Sequence, residues 1–208
     1  MKLFLFDMGG VVARNVAVED AVAKAVGMSE SEFYAACKYD RDARGKTINE
    51  KIDMGDADIM TMLSNGEITT GEFWSEFERR TGVRVPMDYL GLFFNPVLDD
   101  DAVDIVKTLR KKYRVVCGTN TIQSHYDIHL ARSDYAFFDK TYASNIIGAS
   151  KPDVEFWKRI MLAEGVAPED IFFTDDNEAN CAASSSLGIR TFRFTNANDL
   201  RNEVREWL

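Results

Sequence analysis

Four short stretches of this sequence place ionisable or hydrogen-bonding side chains where a polypeptide can do chemistry. Asp7 follows the apolar run Leu3-Phe4-Leu5-Phe6 and precedes the adjacent glycines Gly9 and Gly10. Gly118-Thr119-Asn120-Thr121 follows a second apolar run, and Lys151-Pro152 stands just before a helix-like segment. Thr174-Asp175-Asp176-Asn177 closes a third apolar run, Ile171-Phe172-Phe173. Together they offer one carboxylate, one hydroxyl beside backbone donors, one ammonium and a carboxylate pair. Carboxylates at one rim suit a hard cation such as Mg2+, which completes its shell with carbonyls, waters and substrate phosphate. A hydroxyl, free backbone N–H groups and a lysine hold phosphate oxygens. Once a metal neutralises the carboxylates, a phosphate can approach Asp7. An aspartate so placed can act as nucleophile and pass through an aspartyl-phosphate.

The positioning of these groups requires that the apolar runs be strands ending at a common edge. Runs without alternation suit strands buried on both faces of a parallel sheet. The first is Leu3–Phe6, and the pattern predicts further strands at 113–117, 141–143, 171–173 and 190–194. Helices are expected between and after them, at 102–112, 124–132, 154–164, 178–187 and 197–207. Strands alternating with helices indicate βαβ units. Ligand sites of such sheets form beyond the carboxyl ends of the strands.

Residues 17–94 read differently, as helices throughout. Apolar residues recur at helical spacing from Val18 to Val26, Ser29 and Glu32 stand at capping-box spacing, and Phe73, Trp74 and Phe77 share one face of a segment from Thr70 to Arg80. A helix is also expected over Ile48–Leu63, halted by Asn65-Gly66. The expected architecture is therefore an α/β, Rossmann-like parallel sheet flanked by helices, with a small all-helical cap inserted after the first strand. Residues 1–14 and 96–208 form the expected core domain and residues 15–95 the cap.

Composition narrows the partners. The chain has 208 residues, 46% of them hydrophobic and 28% charged, which is a globular balance. Its formal net charge of −9 argues against nucleic acid and anionic membrane surfaces, since phosphate backbones attract basic ones. A small phosphorylated substrate needs only a local positive pocket. The 3 cysteines, Cys37, Cys117 and Cys181, form no C-x-x-C pair, so neither a disulfide framework nor a zinc site is expected. The four-residue apolar run near the start is too short for a signal peptide, and no apolar stretch could span a bilayer. The expected location is the cytoplasm. The oligomeric state is not readable from this sequence.

Phe6-Asp7-Met8-Gly9-Gly10-Val11-Val12, Val115-Val116-Cys117-Gly118-Thr119-Asn120, Ser150-Lys151-Pro152 and Phe172-Phe173-Thr174-Asp175-Asp176-Asn177 resemble, in order, the four motifs of the haloacid dehalogenase-like superfamily. The likeness spans about residues 2–194, and the insert resembles the helical cap of the branch that includes α-glucose-1-phosphate phosphatases. The resemblance implies a Mg2+-dependent phosphatase of a small phosphorylated metabolite, such as a sugar phosphate. It makes Asp7 the nucleophile, Thr119 and Asn120 phosphate-binding residues, and Lys151 the bridge between nucleophile and phosphate. It implies a metal site of Asp7, the Gly9 carbonyl and Asp176, with Asp175 as the adjacent acid. Asn180 stands where some members place a further acid. In one respect the chain departs from the pattern: the aspartate that usually follows the nucleophile by two residues, and serves as general acid, is Gly9 here. The resemblance then implies a slow phosphatase, a good leaving group, or a proton donor from the cap or water.

Plainer readings stand beside these. Asp7 could be a turn residue, Asp175-Asp176 a helix-capping pair, Lys151 a solvated charge and Thr119 a satisfied hydroxyl. His125 and His129 have a metal-compatible spacing but no H-E-x-x-H context, so surface or packing roles are expected. Cys117 and Cys181 are expected to fill core space. Met54, Met60 and Met62 are expected to pack the cap, and Arg41, Arg44, Lys46 and Lys51 to be mostly solvated, though one or two could close over a substrate. The rival functions are a catalytically weak ligand- or protein-binding relative, a 2-haloacid dehalogenase, which needs no metal, and a phosphomutase.

Overall fold

The computed structural model describes residues 1–38 and 57–208. Along the chain run β1 (Leu3–Phe6), β2 (Ala13–Arg14), α1 (Glu19–Ala25), α2 (Glu30–Cys37), α3 (Ile59–Ser64), α4 (Thr70–Thr81), α5 (Tyr89–Phe93) and β3 (Val97–Leu98). They are followed by α6 (Asp100–Leu109), β4 (Arg114–Thr119), α7 (Gln123–Ala131), β5 (Lys140–Ala143), α8 (Ser144–Ile147) and α9 (Val154–Glu164). The chain ends with β6 (Ile171–Asp175), α10 (Glu178–Ser186), β7 (Arg190–Arg193) and α11 (Ala197–Glu203).

Five strands form one parallel sheet in the order β5-β4-β1-β6-β7, with β1 at its centre. The unbroken apolar character of β1 follows from that position. Phe4 and Phe6 belong to a cluster with Val106, Leu109 and Leu200 from α6 and α11. Leu3 and Leu5 belong to another with Phe156, Trp157 and Ile160 from α9. All four β1 side chains are buried. Burial of each contributes about 1.5–3 kcal/mol relative to exposure. No helix among the described residues is long and apolar enough to cross a membrane.

The third cluster belongs to the insert. Val22, Phe33, Ile59, Leu63, Phe73, Trp74, Phe77 and Leu90 from α1–α5 pack together, joined by Ile122 from the start of α7. The expected capping box is present at α2: Ser29 Oγ accepts from Glu32 N at 3.3 Å, and Glu32 Oε2 accepts from Ser29 N at 2.7 Å. The chain leaves the sheet and returns to it through one two-stranded antiparallel ribbon, β2 with β3, a pairing the sequence did not announce.

Several boundaries differ from the sequence expectation. β4 runs to Thr119 instead of stopping at Cys117, because Gly118 and Thr119 pair with Tyr142 and Ala143 of β5. β6 runs to Asp175, paired with Arg193. α11 ends at Glu203, short of the expected Trp207. Helix α3 begins at Ile59; the earlier part of the helix expected from Ile48 lies outside the described residues, as do Arg41, Arg44, Lys46, Lys51 and Met54.

One buried ion pair ties the insert together. Arg80 Nε lies 2.6 Å from Glu76 Oε1 on α4, and its other nitrogens donate to the carbonyls of Ala36 at 3.1 Å and Ala57 at 3.0 Å. Hydrogen bonds from Arg79 and Arg80 hold the Glu76 carboxyl down to about 2, against the burial that would raise it. Removing one partner of such a pair leaves the other charge uncompensated. Arg80→Met is expected to lower the unfolding free energy by about 3 kcal/mol in urea titrations. Arg79→Met, at a side chain 59% exposed, should cost under about 1 kcal/mol. Because the folded carboxyl is depressed, the wild-type advantage over Arg80→Met should be complete above about pH 4.5 and fade as the pH falls toward 2.

Candidate active site

Register sets the site. Phe6 of β1 stands beside Cys117 of β4 and Thr174 of β6, so the residues one step further, Asp7, Gly118 and Asp175, emerge together at the carboxyl edge. Asp7 continues the ladder by donating its N–H to the Thr174 carbonyl at 3.0 Å. Lys151 enters from the turn before α9. Its Nζ lies 2.8 Å from Asp7 Oδ1 and 2.7 Å from Asp175 Oδ2, and donates to the Gly118 carbonyl at 2.9 Å. At 1% exposure Lys151 is no solvated charge. Gly118 makes room for the core behind this edge, since a Cβ there would sit 2.7 Å from Leu5 Cδ1 and 3.2 Å from Phe156 Cε1.

The lysine is fixed at both ends. Asn120 Oδ1 accepts from Lys151 N at 2.8 Å, and Asn120 Nδ2 donates to the Lys151 carbonyl at 2.7 Å. Asp175 is held in turn: Asn180 Nδ2 is 3.0 Å from both of its oxygens, and Asn177 N donates to Oδ1 at 2.8 Å. Asn177, not the preceding acid pair, is the N-cap of α10. Thr119 is buried at the end of β4. The sequence held no sign of the Asn120 side-chain bonds, nor of Ser144. Ser144 Oγ accepts from Thr121 N at 2.9 Å and donates to the Ser64 carbonyl at 2.6 Å, joining the sheet edge to α3.

Asp176 differs from its neighbour. It is exposed, and no cation among the described residues pairs with it, yet it offers an oxygen within 4.8 Å of those of Asp7 and Asp175. Gly10, at φ 79°, makes room for it: a Cβ there would lie 2.4 Å from Asp176 Oδ2. Burial and the neighbouring Asp175 charge raise the Asp176 carboxyl. Burial pushes Asp7 up to about 7, with Lys151 opposing and Asp175 and Asp176 adding to the rise. Burial alone would depress Lys151, but Asp175 and Asp7 outweigh it and raise its pKa. With all three carboxyls ionised against one ammonium, two negative charges are in excess, a donor set that fits a divalent cation.

Above this edge lies a cavity of about 370 Å³. Asp7, Thr119, Asn120, Lys151 and Asp176 line one side, and Val18, Met60, Leu90 and Phe94 contribute from the insert and its return segment. Gly9 also lines it, and a Cβ at Gly9 would meet Val16 Cγ2 at 3.2 Å. One ring nitrogen of each of His125 and His129 is engaged by a protein group. His125 Nε2 lies 3.0 Å from the Leu90 carbonyl, and His129 Nδ1 lies 2.8 Å from Asp134 Oδ2. Cys117 is buried, while Cys181 is partly exposed and donates its thiol to the Asp175 carbonyl at 3.3 Å.

The family model for haloacid dehalogenase-like hydrolases matches residues 1–188. The chain belongs to that family. It is 29% identical over 223 residues to the D-ribitol-5-phosphate phosphatase of Bacteroides thetaiotaomicron, covering 98% of this chain and 97% of that protein. It is 27% identical over 112 residues to drimenol cyclase drtB of Aspergillus calidoustus, covering 51% of this chain but only 21% of that longer protein. Among solved structures, a HAD family enzyme of Bacteroides thetaiotaomicron in complex with magnesium and inorganic phosphate superposes with a TM-score of 0.72 at 25% identity. That match covers 96% of this chain and 98% of the other.

The two glycines of this hydrolase after Asp7 should respond differently to a methyl group. Gly10→Ala combines a left-handed backbone with a clash on Asp176, and is expected to cost about 1–3 kcal/mol. Gly9 lacks the left-handed φ, and its nearest contact is a side chain that can shift, so Gly9→Ala should cost less. Urea denaturation of both variants measures the difference; equal costs would mean that Asp176 yields freely.

Proposed function

We propose that this hydrolase is a Mg2+-dependent phosphatase of a small phosphorylated metabolite of the sugar-phosphate class, acting through an aspartyl-phosphate on Asp7. The observation that carries the reading is the meeting of Asp7, Lys151, Asp175 and Asp176 at the carboxyl edge, beneath a cavity shared with the insert. The likeness to a sugar-alcohol phosphatase over nearly the whole chain, and to a structure holding magnesium and phosphate, supports it. In this reading residues 1–14 and 96–208 are the catalytic core and residues 15–95 a cap, divided where β2 meets β3. The enzyme works in the cytoplasm.

The Asp7 carboxylate attacks phosphorus in line with the leaving oxygen. Lys151 holds Asp7 with one N–H, its other two being met by Asp175 and the Gly118 carbonyl, and its positive charge offsets the negative charge that develops on the phosphoryl group. Thr119 Oγ1 and backbone donors at Asn120 bind the remaining oxygens. Asp7, Asp176 and the Gly9 carbonyl would hold Mg2+, with Asp175 beside them. When bound, the metal neutralises charge on the acids and on the transferring phosphoryl group. Asp175 orients Lys151, and Asn180 orients Asp175. Water then attacks the aspartyl-phosphate, releasing phosphate and restoring Asp7.

Asp7→Asn is expected to abolish phosphate release from phosphometabolites without loss of folded structure by circular dichroism. Wild-type turnover by that variant would remove Asp7 from the mechanism and end this reading. For the metal, Asp176→Ala should weaken Mg2+ binding far more than Asp175→Ala, because Asp175 is engaged by Lys151 and Asn180 while Asp176 has no such partner among the described residues. Calorimetric Mg2+ titration distinguishes the two; equal affinities would contradict the assignment.

A further inference from the structure

Gly9 leaves the leaving oxygen without the carboxyl that would protonate it, yet the same cavity holds a buried acid–base pair that the steps above do not use. His129, on α7, is 3% exposed and lines the cavity together with Asp7 and Gly9. Its Nδ1 lies 2.8 Å from Oδ2 of Asp134, itself 5% exposed, and Arg132 Nε stands 3.2 Å from the same oxygen. Its ring packs edge-on to Phe94, with centroids 5.2 Å apart, and 5.2 Å from the ring of Tyr135. Nε2 has no hydrogen-bond partner among the described residues. A carboxylate on one nitrogen fixes the tautomer, steadies the ring and supports an imidazolium, leaving the other nitrogen for proton transfer. His125 lines the cavity too, but its Nε2 faces the Leu90 carbonyl and its ring lies flat on Phe94, 3.8 Å between centroids.

We propose that the Asp134–His129 pair supplies the proton that Gly9 cannot, with His129 as the general acid and base and Asp134 as its positioning residue. The assignment rests on the phosphatase reading above. As the Asp7 carboxylate forms its bond to phosphorus, the bond from phosphorus to the leaving oxygen breaks. The electron pair stays on that oxygen, which takes the proton from Nε2 of the imidazolium and departs as the alcohol. The neutral imidazole then takes a proton from water as the water oxygen attacks phosphorus. The bond to Asp7 breaks, the carboxylate is restored, phosphate leaves and the imidazolium is regenerated. Burial lowers the imidazole pKa and Asp134 opposes the fall.

The test compares kcat/KM for p-nitrophenyl phosphate, whose leaving group needs no proton, with n-butyl phosphate, whose leaving group does, in the full-length protein with Mg2+. His129→Gln keeps a donor for the buried Asp134. It should lose roughly 10²-fold on n-butyl phosphate and less than about threefold on p-nitrophenyl phosphate. Asp134→Asn should lose in the same selective direction by a smaller factor. Adding Gly9→Asp to His129→Gln should recover part of the n-butyl activity. A structural role alone would lower both substrates together, so equal losses in a variant with native circular dichroism would overturn the proposal. So would a selective loss in His125→Gln in place of His129→Gln. A measurement needing no variant stands beside these: across a series of aryl and alkyl phosphates, wild-type kcat/KM should depend weakly on leaving-group pKa, and a steep dependence would overturn the proposal. Absence of phosphate release from every substrate would instead overturn the phosphatase reading, and this assignment with it.

Discussion

Lys151 brings a full positive charge into a place almost sealed from water, and the surrounding elements are those such a charge requires. An ammonium has three N–H donors and no tolerance for leaving them unmet in a dry setting. Asp7, Asp175 and the Gly118 carbonyl meet them. These three acceptors come from the ends of β1, β6 and β4, which are neighbours only because β1 lies in the middle of the sheet. Phe156 and Phe173, with ring centroids 5.7 and 5.6 Å from Nζ, enclose the stem and present ring faces to the charge. The order of the strands and the chemistry of the edge are thus one constraint.

The same lysine divides the acids by role. Asp175 is fully enclosed and committed to Lys151, Asn177 and Asn180, so it acts within the scaffold. Asp176, one residue on, has left the strand and stands open beside Gly10. Asp7 lies between these conditions: it is buried, paired on one oxygen, and strained electrostatically by its neighbours. A carboxylate kept in that state gains from any cation or electrophile that arrives.

Much of this was legible in the sequence for identifiable reasons. The strands of the central sheet are covered on both faces, so their apolar runs are unbroken and easily seen. α9 matched its expected span of Val154–Glu164 because Asp153 caps its start and Gly165 adopts the left-handed turn at its end. Three of the four motif stretches lie at strand ends or just beyond, and Ser150-Lys151-Pro152 in the turn before α9, all of them places where polar residues interrupt apolar surroundings. What stayed hidden depends on contacts distant in sequence. The two-residue strands β2 and β3 carry no periodicity and exist only by pairing with each other. The burial of Lys151 follows from Asp175, whose proximity is a product of strand order. Asp134 and His129 lie five residues apart, yet nothing in their spacing reveals that α7 ends between them and folds one onto the other.

The central position of β1 also bears on how the chain reaches this state. Leu3 pairs with Arg114 on one side and Ile171 on the other, so both neighbours of the strand are made long after it. Contacts so far apart in sequence form late and slowly. During synthesis the segment Leu3-Phe4-Leu5-Phe6 must therefore wait, unpaired and apolar on both faces, while the whole helical insert is assembled behind it. Asp7 directly follows that stretch, and the packing of α1–α5 around their own cluster, once formed, shortens the free chain across which β1 must find β4.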